Sequence, residues 1–262
     1  MEEDGMYKLK IVVLSLVFAA AAALAGAPAP AQAGCLESVE AAINWGNGKA
    51  YFFGYAPGSS AMQYVRYDIK ADKADAGYPK AVNDSTWPGL YIDYITAAIN
   101  WGNGKAYIFG YIDGYEGLYY SRFDIANNRT DDGYPLPVTD EYWPGLSVLP
   151  DITAALDIGD GNVYFFGYNQ DISYSQLGVT FNKASNYVTD YPEEVTYENM
   201  GGNLLTNITA AVDWSSRFYL FGWIEGDTLP AYERFTLSTG AMDSGYPRVT
   251  DAKMWPGLGC NY

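Results

Sequence analysis

Four copies of one pattern run through this chain, and a repeat of this kind limits the possible folds more than any local feature does. The pairs Ala41-Ala42, Ala97-Ala98, Ala154-Ala155 and Ala210-Ala211 recur at intervals of 56, 57 and 56 residues. Each is followed by an aromatic run: Tyr51-Phe52-Phe53-Gly54-Tyr55, Tyr107-Ile108-Phe109-Gly110-Tyr111, Tyr164-Phe165-Phe166-Gly167-Tyr168 and Tyr219-Leu220-Phe221-Gly222-Trp223. Tyr-Pro then recurs at Tyr78, Tyr134, Tyr191 and Tyr246, and Trp-Pro-Gly-Leu closes three units, beginning at Trp87, Trp143 and Trp255. No linker or low-complexity stretch separates the units. The spacing predicts repeats over about 36–91, 92–147, 148–204 and 205–262, forming one domain over 34–262.

Each unit reads as a small antiparallel sheet. A first strand holds the alanine pair and a second is aromatic. A third carries Tyr64-Val65-Arg66-Tyr67, Tyr120-Ser121-Arg122-Phe123 or Tyr232-Glu233-Arg234-Phe235. The dipeptides Asn47-Gly48 and Asn103-Gly104 predict tight type I′ hairpins between the first two strands. The acidic stretch Asp140-Glu141-Tyr142 is expected to start a short helix. Strand-rich repeats of this length predict an all-β, four-bladed β-propeller with a narrow central channel. In a closed ring the first and last blades are neighbours, so Cys35 and Cys260, at the two ends of the array, are expected to form a disulfide. The alternative is two unrelated surface thiols. The arginines are expected to pair with blade acids, and the tryptophans to pack between neighbouring blades.

Composition narrows the function. Of the 262 residues, 31 are acidic and 15 basic, for a net charge of −16, which argues against a nucleic-acid partner. Histidine is absent, which excludes a Ser-His-Asp triad, an HExxH zinc site and a histidine-ligated haem. Lys8 and Lys10 precede an apolar run from Ile11 to Leu24 and the small-residue triplet Ala31-Gln32-Ala33, the order of an export signal. Residues 1–33 are thus expected to be a signal peptide cleaved after Ala33. The apolar run is too short to span a membrane. The protein is expected to be secreted or periplasmic, as a monomer or homodimer.

Taken together, the alanine pairs, Asn-Gly-Lys-x-Tyr-x-Phe, Tyr-x-Arg-(Tyr/Phe)-Asp, Gly-Tyr-Pro and Trp-Pro-Gly-Leu resemble the hemopexin repeat over residues 36–258. The spacing is similar to that of plant seed albumins and bacterial hemopexin-like proteins. The resemblance implies a four-bladed propeller with ions in its tunnel. Members of the family serve as haem carriers, protease exosite domains, adhesive modules and polyamine-binding albumins, so the resemblance carries the fold further than the function.

The inner edge of each first strand lacks a strand partner, and a four-fold ring of carbonyl oxygens there suits a hard cation such as calcium. The resemblance implies that the donor is the residue before each alanine pair: Glu40, Thr96, Thr153 and Thr209. A second ring at Ala42, Ala98, Ala155 and Ala211 suits sodium or a chloride-associated site. The expected function is a non-catalytic secreted binding protein. Its partner is a small cationic ligand such as a polyamine, or another protein. The alternatives are haem binding through a tyrosine, and a carboxylate-based hydrolase. The third unit departs most from the pattern. Thr180 stands in place of arginine, and Asn199-Met200-Gly201-Gly202 replaces Trp-Pro-Gly.

Overall fold

A computed structural model of the chain describes residues 34–262, so the expected signal and its cleavage site lie outside the described residues. Each repeat forms one antiparallel sheet. The inner strands are Ser38–Asn44, Tyr94–Asn100, Asp151–Gly159 and Asn207–Trp214. The second strands are Lys49–Tyr55, Lys105–Tyr111, Asn162–Asn169 and Arg217–Trp223. The third are Gln63–Asp68, Tyr119–Asp124, Ser173–Asn182 and Ala231–Thr236, and short outer strands pair with them. The four inner strands border one another in a ring. The fold is therefore an all-β, four-bladed β-propeller. No helix among the described residues is long and apolar enough to cross a membrane.

In every blade the inner strand carries one residue more than its partner. Pairing runs from Val39–Gly54 to Ala41–Phe53 and passes over Glu40; the other blades pass over Thr96, Thr153 and Thr209 in the same way. Such a bulge bends its strand and leaves the extra residue unpaired. It also brings the two backbones very close. A Cβ on Gly54, Gly110, Gly167 or Gly222 would overlap the carbonyl of Ser38, Tyr94, Asp151 or Asn207 respectively. The glycine that interrupts each aromatic run is required by that approach.

The core is divided among the four blade interfaces. Trp87 lies 5.0 Å from Phe53 of its own blade and 5.1 Å from Phe123 of the next. Trp143 joins Phe109 and Phe181 at 5.1 and 5.3 Å, and Trp255 joins Phe221 and Tyr67 at 5.1 and 5.4 Å. The interface of blades three and four has no tryptophan. It is filled by Leu156, Phe166, Leu205, Phe218, Leu220 and Phe235. The ring is closed by the Cys35–Cys260 disulfide, beside a hydrogen bond from the Leu36 amide to the Leu258 carbonyl of 2.7 Å. Closing a loop with 225 residues of separation removes unfolded-state entropy equivalent to about 5 kcal/mol.

Two local expectations are corrected. Asn47 and Asn103 do not adopt positive φ, so the first two hairpins are not type I′. Instead Asn44 and Asn100 accept the Gly46 and Gly102 amides at 3.0 Å, and glycines 46, 48, 102 and 104 take the left-handed turns. The third blade, with Asp160 and Gly161 both at positive φ, has the two-residue turn. The acidic stretch at Asp140 forms a turn, not a helix; Asp140 accepts hydrogen bonds from the Gly145 amide and the Ser147 hydroxyl, and only Leu146–Val148 forms a 3-10 turn.

Glu233 occupies the interface that lacks a tryptophan. It is fully buried; Oε1 accepts the Leu204 amide at 2.8 Å, and Oε2 has no partner among the described residues. Burial raises its pKa to about 7, with the Leu204 and Leu205 amides pulling the other way. An unfolded glutamate titrates near 4.5. Between these values the unfolded chain binds fewer protons than the folded one, so this group's contribution to stability falls as pH rises through that window. Glu233→Gln keeps an acceptor for Leu204 without the charge. It should match the parent protein near pH 4.5 and exceed it by up to about 3 kcal/mol near pH 8 in chemical denaturation. A gap between the two proteins that is the same at both pH values would contradict the assignment.

Candidate functional site

The propeller axis is bounded by the four inner strands, and their sequence explains how closely they pack. The alanine pairs are buried in every blade. Opposite inner strands come within 8 Å of each other, Cα to Cα. A porphyrin plane is wider than that gap, so haem does not fit between the inner strands where they come closest.

Glu40, Thr96, Thr153 and Thr209 hold the same place in the four inner strands: each is the unpaired bulge residue of its strand, half-buried. The second set, Ala42, Ala98, Ala155 and Ala211, lies two residues further along and is paired in register with the second strands. The bulge residues differ in their side-chain partners. The Thr209 hydroxyl donates to the Val39 carbonyl across the seam between blades four and one. Thr153 accepts the side-chain amide of buried Gln176 at 2.6 Å. The Thr96 hydroxyl is buried and has no partner among the described residues. Glu40 is the one charged residue of the four. These are oxygen donors, hard ligands of the kind that hold calcium. Among the described residues no three acidic, cysteine or histidine side chains converge on a metal position. A cation on the axis would therefore depend on backbone oxygens.

Gln176 binds blade three to blade four. Its Nε2 also donates to the Ile208 carbonyl at 2.8 Å, and its Oε1 accepts the Ile208 amide at 2.9 Å. Nearby, Tyr111 donates to Asp151 at 2.8 Å and Tyr168 to Asn207 at 3.2 Å, so in blades two and three the tyrosine after the bulge glycine reaches the next blade's inner strand.

A second ring was not anticipated from the sequence. Asn44, Asn100, Asp157 and Asp213 hold equivalent places near the far ends of the inner strands, at the same intervals as the alanine pairs. Asn100 donates to the Asn44 carbonyl, and Asn44 donates to both the carbonyl and the carboxylate of Asp213, all at 3.1 Å. Lys183 donates to Asp157 at 2.6 Å. Burial raises the Asp213 pKa, opposed by the Asn44 hydrogen bond; the Asp157 charge raises it further and Lys183 lowers it. Both carboxylates already have partners, Asn44 of the ring for Asp213 and Lys183 outside it for Asp157. The repeat interval was the signal that could have revealed the set.

The arginines behave as expected. Arg66, Arg122 and Arg234 bind Asp75, Asp131 and Asp243 at 2.5–2.6 Å and stack on Tyr78, Tyr134 and Tyr246.

Comparison with solved structures finds the same architecture. A hemopexin-fold protein, CP4, from cow pea superposes with a TM-score of 0.61 at 20% identity, covering 84% of this chain and 96% of its own. The seed albumin LS24 from Lathyrus sativus superposes at 0.55 with 16% identity, covering 85% and 96%. An α-L-arabinofuranosidase from Clostridium thermocellum gives 0.45 at 14% identity, covering 89% and 78%. No protein-family model and no curated relative matches the chain.

Gln176→Leu should leave the Ile208 amide and carbonyl and the Thr153 hydroxyl without their partner. The expected cost is about 2–4 kcal/mol, read as a lower denaturation midpoint. A loss below about 0.5 kcal/mol would show that Gln176 does not hold the two blades together.

Proposed function

We propose that this chain is a secreted, non-catalytic binding propeller that holds one calcium ion on its axis. Sodium or chloride would take the neighbouring alanine level, and the acidic exterior would receive a small cationic ligand such as a polyamine, or a protein partner. One observation carries the reading. The four residues before the alanine pairs are all bulge residues, released from the strand ladder at equivalent places in four inner strands whose opposite members come within 8 Å of each other. The unpartnered hydroxyl of Thr96 and the charge of Glu40 support it. The fold shared with a hemopexin-fold protein and a seed albumin is in keeping with a binding role. The acidity favours cationic partners through long-range steering and salt-sensitive attraction.

A ligand that binds only the folded state raises apparent stability, by about 2.7 kcal/mol at a hundredfold excess over its Kd. Calcium should therefore raise the melting temperature above that in chelator, and calorimetry should give one site per chain. Glu40→Gln should weaken the site several-fold without changing the fold, because backbone donors remain while the one charge is lost. Absence of both heat and thermal shift with millimolar calcium would overturn the proposal.

A further inference from the structure

The outer edge of the third blade differs from the other three in what covers its tyrosines. In blades one, two and four an arginine on the third strand stacks on the tyrosine of the Tyr-Pro turn, at 5.2, 5.0 and 5.0 Å from the ring centre. The same arginine binds an aspartate beside it. Lys80 and Arg248 cover Tyr78 and Tyr246 as well, at 4.8 and 4.6 Å. In blade three the arginine is replaced by Thr180, whose amide donates to Asp190 at 2.7 Å. The turn is shorter, and Tyr191 is 90% exposed.

The rest of that edge has the same character. Tyr174 is 87% exposed, and Tyr187, Tyr197 and Ile172 are also exposed. Tyr174, Tyr187 and Tyr191 lie on or between strand Ser173–Asn182 and the two short strands paired with it, Tyr187–Val188 and Glu193–Glu194, and Ile172 and Tyr197 flank these strands in sequence. Asp171, Asp190, Glu193, Glu194 and Glu198 are all exposed on the same edge. The one base between residues 160 and 206 is Lys183, and it is turned inward to Asp157 with its ammonium over Trp101. Blade three thus presents tyrosine rings and carboxylates with no cation of its own to cover them.

We propose that the outer edge of blade three is a docking surface for a basic, arginine-bearing polypeptide. The partner supplies in trans the guanidinium groups that blades one, two and four supply from within. Charge complementarity selects a cationic partner, and the planar guanidinium suits both an aromatic face and a carboxylate, which a lysine ammonium matches less well. This surface is separate from the axis, so its occupation does not depend on a bound calcium ion.

The test uses the full chain with a fluorescent hexa-arginine peptide and its hexa-lysine counterpart, read by anisotropy over a range of salt concentrations. Tyr174→Ser combined with Tyr191→Ser removes two exposed rings and no charge. It should weaken hexa-arginine binding by about five- to tenfold, as expected for two exposed cation–π contacts, and leave the salt dependence unchanged. Tyr91→Ser combined with Tyr115→Ser removes two other exposed tyrosines, outside blade three, and should change binding by less than about twofold. Equal losses from both pairs, or no loss from either, would reduce the binding to general attraction by an acidic surface and overturn the proposal. Hexa-lysine binding as tight as hexa-arginine would also overturn it. So would self-association of the parent protein that the blade-three pair abolishes, because the surface would then serve a second copy of the chain.

Discussion

Everything in this structure depends on bringing four inner strands together around one axis. Opposite strands come within 8 Å of each other, and the small alanine pairs, packed into the cores between blades, allow that approach. Bulges at Glu40, Thr96, Thr153 and Thr209 bend the strands there, and each bulge forces a glycine on the strand opposite. The alanine pair and the Phe-Gly-aromatic run are therefore two parts of one device, seen from neighbouring strands. The same device produces the functional candidate, because a bulge residue is the one released from the ladder.

Around this centre the blades are held by repeated wedges. Trp87, Trp143 and Trp255 each touch an aromatic ring of their own blade and one of the next. Where the third unit lacks its tryptophan, polar groups take over part of the work. Glu233 anchors the Leu204 amide, and Gln176 ties blade three to the Ile208 backbone. Polar substitutes of this kind need complete pairing, and the lone Oε2 of Glu233 makes this seam sensitive to protonation. The third blade is also the one whose outer edge lacks its arginine, so the departures from the repeat fall on one side of the ring.

Much of the fold was legible because a repeat states its own period. The intervals between alanine pairs gave the number of blades, and the two terminal cysteines gave the closure. The four residues chosen by resemblance turn out to be the bulge residues of their strands. What escaped were features set by side-chain capture of backbone groups. The Asn-Gly dipeptides suggested type I′ turns, but the preceding Asn44 and Asn100 take the Gly46 and Gly102 amides and impose a longer turn. The ring of Asn44, Asn100, Asp157 and Asp213 had the repeat interval as its only signature, divided between two residue types. The bulges themselves leave no local mark, since a threonine at such a site looks like any strand threonine.

The central claim is that the axis was shaped by the bulges to hold a hard cation. Anomalous X-ray diffraction from crystals grown with calcium tests it most directly. The account predicts one anomalous peak on the axis, level with Glu40, Thr96, Thr153 and Thr209 and within bonding distance of their carbonyl oxygens. An axis that shows only water at that level, in crystals saturated with calcium, would contradict it.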